Sequence, residues 1–185
     1  MSTPVTAEPP EATLLRAFVN TLDLRSFVLH GHRLPGGDAL ATPEQARAWF
    51  AAHSPAGVAA TVTESDLELA RDLRDELRAA IDPASAPPST GRAFADLVEV
   101  RLAPGRPPAL TPTSAAGGVL GEVVRCALAL AQRDLWSRLK VCGAEDCHWV
   151  FYDRMKSAKG RWCSPERCGN RSKTRAYRAR RSTAD

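Results

Sequence analysis

The chain has no lysine before Lys140, no cysteine before Cys126 and no apolar run long enough to cross a bilayer. A membrane-spanning helix needs about 20 consecutive apolar residues, so no membrane partner is expected. The opening stretch, Met1 to Glu11, is Pro-rich and acidic and lacks the basic-then-apolar order of a secretory leader. We read it as disordered and the protein as cytoplasmic. Also missing are a Gly-rich phosphate loop, a Gly-x-Ser-x-Gly nucleophile elbow and a His-Glu-x-x-His helix. That argues against the common nucleotide-binding and hydrolase classes, and with no catalytic set visible we expect no enzyme.

The chain does have enough apolar residues for a core, 44% of 185, a length that fits one ordinary domain or one with a small appendage. Its charge is divided. Residues 1–137 hold 12 Arg against 16 acidic residues, net −4, whereas residues 138–181 hold 13 Lys and Arg against 4 acidic residues, net +9. A polyanion would approach the C-terminal end. Four of the five cysteines fall within residues 142–168 of that basic block, and clustered cysteines in a cytosolic chain point to metal more than to disulfides.

The apolar spacing of Leu14, Leu15, Phe18, Val19 and Leu22 predicts a helix over Thr13–Arg25. A hairpin or extended loop should follow, around Phe27–His30 and the turn Pro35–Asp38. Thr42 caps a second helix through Trp49 with Pro43 in its first turn, and Thr63 with Asp66 three residues on forms a near capping box for a third. Leu67, Leu69, Ala70, Leu73, Leu77 and Ile81 mark that third helix's buried stripe. Beyond a Pro-Ser-Ala loop over 83–90 we expect a short helix near Arg92–Val98 and a strand over Val98–Leu102, turning back through Ala109–Thr111. A core helix should then run over Val119–Leu139, hinged at Gly117-Gly118, with Ala131 and Leu135 among its inward residues. The fold class is mainly α with short β-hairpins: a helical domain over 12–138 and a cysteine module over 139–182.

Cys142-x4-Cys147 and Cys163-x4-Cys168, fifteen residues apart, can close a tetrahedron of thiolates around one zinc ion. Four thiolates fill the shell, so the metal is structural, and so small a module depends on it for folding. The helical domain is expected to stand without it. His148–Tyr152 and Gly160–Trp162 suggest two strands of a hairpin joined by a basic turn, and a helix should start at Cys168; knuckle, hairpin and helix make a treble-clef layout. Two further ligand candidates are His148, next to Cys147 but read as facing solvent or phosphate, and Cys126, read as a small core residue of the long helix and not a fifth ligand.

Cys-x4-Cys followed by Arg161-Trp162-Cys163-Ser164 and Cys168-Gly169-Asn170-Arg171-x-Lys173 resembles the CGNR zinc finger. Upstream, Phe18-Val19-Asn20-Thr21-Leu22-Asp23 and the helix Thr63–Arg74 are similar to the ABATE domain that precedes this finger in bacterial proteins. Cys142-Gly-Ala-Glu-Asp-Cys147 departs from the commoner Asn-Pro before the second ligand, which affects the turn more than the ligation. The resemblance implies a stress-response transcription regulator.

On the expected last helix, Arg171, Arg175 and Arg178 share a face, flanked by Lys173, Arg180 and Arg181. Such a face either suits phosphate, with long Arg side chains able to reach guanine edges in a major groove, or is a solvated terminal helix that aids solubility or docks on the acidic domain. The leading reading is a DNA-binding regulator contacting double-stranded DNA, with the first domain sensing a small-molecule effector or forming a homodimer. An RNA-associated or protein-interaction module is the alternative, and an enzyme acting through the first domain comes last. Tyr177, Trp149, Phe151 and Trp162 either stack on bases or, for Phe151 and Trp162 above all, form the small core around the metal. Asn20 and Asp23, with His30 and His32, either line a ligand pocket or are a helix-ending hydrogen-bond pair and an ordinary loop.

Overall fold

The computed structural model describes residues 7–29, 32–34, 36–53, 62–82, 84, 94, 97–104, 106–107, 109–112 and 118–182. The expected loop over 83–90 and short helix near Arg92 fall almost wholly outside these. Helix α1 (Pro10–Val19) starts on a Pro-Pro step, inside the stretch read as disordered, and buries Ala12, Leu15, Phe18 and Val19 along one face. It ends six residues before the expected Arg25. The Thr21 hydroxyl donates back to the Phe18 carbonyl at 2.7 Å, and Leu22–Asp23 (β1) leaves to pair antiparallel with Gly37–Asp38 (β4). Inside that loop Val28–Leu29 (β2) pairs with His32–Arg33 (β3).

Helix α2 spans Pro43–His53 and buries Ala46 and Phe50. Helix α3 (Glu64–Ile81) opens on a complete capping box. Thr63 Oγ1 accepts the Asp66 N–H at 3.2 Å and the Asp66 carboxylate accepts the Thr63 N–H at 2.9 Å, satisfying two donors a helix start would otherwise leave open. Strands β5 (Val98–Arg101) and β6 (Ala109–Pro112) form the expected hairpin.

Helix α4 (Val119–Gln132) follows Gly118, whose φ of 80° is left-handed backbone that glycine adopts without strain. It buries Leu120, Val123, Cys126 and Leu130 but stops seven residues short of the expected Leu139, with Ala131 exposed. The Leu135 N–H closes back on the Leu130 carbonyl at 2.9 Å, Asp134 takes a φ of 55°, and after one 3-10 turn at Trp136–Arg138 the chain becomes strand β7 (Leu139–Val141).

Strand β7 pairs with β8 (Val150–Tyr152). The expected partnership of 148–152 with 160–162 is therefore corrected: the second strand comes from the end of the apolar run, not from the far side of the basic turn. Leu139, Val150 and Tyr152 join α1, α3 and α4 in one buried core, so the hairpin that starts the cysteine module also closes the core of the helical part. A one-turn π-helix at Pro165–Gly169 leads into α5 (Asn170–Ser182). No helix among the described residues is long and apolar enough to cross a membrane.

Candidate metal centre and nucleic-acid interface

The first knuckle is a turn closed by the Cys147 N–H on the Ala144 carbonyl at 2.9 Å, and the Gly143 N–H ties it to the Arg161 carbonyl at 2.9 Å. In the second, Ser164 accepts the Arg167 N–H on its hydroxyl at 3.2 Å and the Cys168 N–H on its carbonyl at 2.9 Å. A Cβ at Gly169 would lie 3.1 Å from the Trp162 ring, so glycine lets α5 begin hard against that indole.

All four sulfurs lie within 4.8 Å of one another. The Cys147–Cys163, Cys163–Cys168 and Cys168–Cys147 separations are 3.7, 3.5 and 3.7 Å. A tetrahedron with Zn–S bonds of about 2.3 Å has edges of about 3.8 Å, so the thiols already stand at the corners of a zinc site. Contact with Cys142 and burial push the Cys147 thiol up to about 12, and contact with Cys142 and Cys147 pushes Cys163 further still. Four thiols cannot all ionise so close together unless a cation balances them. Cys142, Cys147, Cys163 and Cys168 hold one structural zinc ion. The Cys163 N–H donates to the Cys142 sulfur at 3.4 Å.

Neither of the other two candidates joins this shell. His148 turns its Nε2 to the Glu145 carbonyl at 2.9 Å. Cys126 is buried in α4, where burial pushes its thiol up to about 12.

The finger is locked to the helical part by groups the sequence did not single out for that task. Asn20 is buried, donates Nδ2–H to the Val150 carbonyl at 2.8 Å and accepts the Val150 N–H at 2.9 Å, so its amide replaces a neighbouring strand along β8. Asp23 instead binds the Arg25 guanidinium at 2.6 Å, a hydrogen bond that holds its carboxyl below the usual range, while Arg25 stacks 4.0 Å from the Trp149 ring centroid. Asn20 and Asp23 thus serve different partners. His30 and the His32 side chain lie outside the described residues.

Arg78, 2% exposed, donates to the Val19 carbonyl at 2.9 Å and the His148 carbonyl at 3.0 Å, bridging both parts. The signal for it was available, because Arg74 and Arg78 stand on the same helical face as Leu67, Ala70 and Leu77. Arg74 pairs with Asp38 at 2.6 Å, and Arg71 reaches the Leu40 and Ala41 carbonyls.

The basic turn after β8 is pinned as well. Buried Asp153 accepts from Lys140 Nζ at 2.7 Å and from the Gly160 N–H at 2.6 Å. Burial alone would raise its pKa, but these donors hold it below the carboxylate norm.

The basic residues of α5 divide into two sets. Arg171 is half-buried, pairs with Asp146 at 2.7 Å and covers the Phe27 ring at 3.4 Å. Arg175 meets Glu145 at 3.1 Å and Asp146 at 2.9 Å. Lys173, Arg178, Arg180 and Arg181 are exposed, as is Tyr177, and the helix contains no acidic residue. Phe151, Trp149 and Trp162 pack half-buried against the cysteine cluster and line an open groove of about 700 Å³ edged by Arg154, Lys159 and Arg161.

Residues 138–181 match the CGNR zinc finger, and residues 13–138 match the ABATE family, described as "Putative stress-induced transcription regulator". A comparison with curated proteins returned no match. The second match covers well over half of the chain, which therefore belongs to the ABATE family and ends in a CGNR zinc finger.

Proposed function

We propose that the protein is a DNA-binding transcription regulator in which zinc orders the finger and α5 meets the double helix. The observation that carries this reading is a thirteen-residue helix with six Lys and Arg, no acid, and most of its length in solvent. Folding does not call for that charge. Arg171 and Arg175 act as positioning residues: held by Glu145 and Asp146, they set the angle at which the helix leaves the finger. Lys173, Arg178, Arg180 and Arg181 contact phosphate. The ABATE domain supplies the rigid base, since the finger's strand β8 is seated on α1 through Asn20, and any signal that shifts α1 would move the finger with it.

The test is selection of zinc-loaded protein on random duplexes and random single strands at two salt concentrations. Four phosphate contacts give a slope of about −3.6 in log K against log[salt], roughly a hundredfold loss of affinity between 50 and 200 mM. An enriched duplex motif with that slope supports the reading. Preference for single strands would move the function to RNA, where the aromatic groove becomes the natural site. Absence of salt-dependent binding to either would make the finger a protein-docking module.

A further inference from the structure

Strand β5 is the outer strand of its hairpin: α4 packs mainly against β6, and among the described residues β5 pairs with β6 alone. Among the described residues its outer edge is unpaired, and it has no proline, no lysine and no break in its pairing with β6, three of the usual devices against strand addition. Val100 is 65% exposed and Leu102 77%, the two most exposed large apolar side chains among the described residues.

The sequence along this edge is Val98-Glu99-Val100-Arg101-Leu102, and it is complementary to itself about Val100. Two such strands running antiparallel with Val100 opposite Val100 place each Glu99 across from the other chain's Arg101, and each Val98 across from the other chain's Leu102. Every cross-strand pair is then opposite in charge or apolar on both sides, which is the pattern that stabilises antiparallel neighbours. A shift of two residues would set Glu99 against Glu99 or Arg101 against Arg101, so charge selects the register. A shift of one would break the facing of the side chains. Within one chain Arg101 turns back to Glu99 at 2.6 Å, so both ionic groups already stand on one face of the strand.

We propose that the β5 edge is a self-association surface whose partner is a second copy of this chain, joined through a two-fold antiparallel pairing centred on Val100. Five residues per strand bury far less than the roughly 1,600 Å² of a standard stable interface, so the dimer is weak and concentration-dependent in solution. This inference does not rest on the DNA-binding reading, and its test contains no nucleic acid.

In the zinc-loaded full chain, Val100→Cys should form a disulfide-linked dimer on mild oxidation, because directly opposed strand residues have Cα atoms about 4.5–5.5 Å apart, within disulfide range. Leu102→Cys is the control: in the same register two copies of residue 102 are separated by four residues of strand, about 13 Å, and should not link. Sedimentation equilibrium from about 10 to 500 µM should show association that Glu99→Arg weakens roughly tenfold and that Glu99→Arg/Arg101→Glu restores. Equal linking at 100 and 102, a monomer throughout that range, or a dimer indifferent to both charge variants would each overturn the proposal. Unchanged zinc content and circular dichroism check that these exposed substitutions leave the fold intact.

Discussion

Helices α3 and α5 both carry arginines at helical spacing, yet the two sets do opposite things. On α3, Arg74 and Arg78 are 4% and 2% exposed, and together with Arg71 they donate to Asp38 and to the carbonyls of Val19, Leu40, Ala41 and His148. On α5, Lys173, Arg178 and Arg181 stand in solvent. The difference lies in what surrounds the charge. The first half of the chain is acidic and apolar, so an arginine there is drawn into the core by carbonyls and carboxylates that need donors. The second half has a cationic surplus, and once Glu145 and Asp146 are taken by Arg171 and Arg175 the remaining cations of α5 have no acid on their own helix.

The largest test of this division is removal of the metal, because zinc holds the knuckle from which α5 starts. Cys163→Ser should abolish zinc binding, read by metal analysis of the purified protein. The effect should also pass into the helical part. Val150 and Tyr152 belong to its core, and Asn20 and Arg78 would lose their partners in the finger. Amide exchange in α1 should therefore accelerate in this variant. Full protection of α1 without zinc would show that the two parts are independent after all.

Next comes Arg78→Met, which keeps the length of the side chain and removes its donors. Two carbonyls, of Val19 and His148, lose a buried partner. The expected cost is about 2–4 kcal/mol in urea unfolding, somewhat reduced because a buried charge disappears with it. A cost near zero would mean that water replaces the guanidinium, and α3 would then differ from α5 only in burial.

How far these roles could be read from the sequence depends on how local each one is. The zinc ligands are four residues of one type in two equal turns, and the cap of α3 lies within Thr63–Asp66, so both were legible. The end of α4 was not: Leu135, Trp136 and Leu139 continue the apolar run, and the break depends on the Leu135 N–H returning to Leu130 and on β7 finding β8. Asn20 could be seen as unusual in its motif, but its partner is 130 residues away, beyond anything local spacing encodes. On α5 the sequence placed Arg171, Arg175 and Arg178 on one face; only the fold reveals that Asp146 and Phe27 lie under the first turn of it.

That split within α5 gives the third test, a contrast in binding. Replacing Lys173, Arg178 and Arg181 by Ala together should cut duplex affinity by roughly a hundredfold near 0.1 M salt and reduce the salt slope by about 3, with zinc content unchanged. Arg171→Ala should leave that slope nearly as it is. It should lower finger stability by about 1–2 kcal/mol, through loss of the Asp146 pair and of the Phe27 contact. If Arg171→Ala flattened the slope as much as the triple variant, its role would be phosphate contact and not positioning.

The smallest expected effect is the most exacting check. Arg178→Ala removes a cation that is exposed on α5, so urea unfolding should move by no more than about 0.5 kcal/mol, the range of ordinary surface substitutions. Alanine is also the better helix former by a small margin, which pushes the shift toward stabilisation. A residue whose removal leaves stability unchanged and still lowers duplex affinity is one that folding does not need and binding does, in contrast to Arg78. Should Arg178→Ala destabilise the chain by 2 kcal/mol, on the scale of Arg78→Met, the surplus charge of α5 would have a structural purpose, and the helix would have to dock on the acidic half of the molecule instead of on DNA.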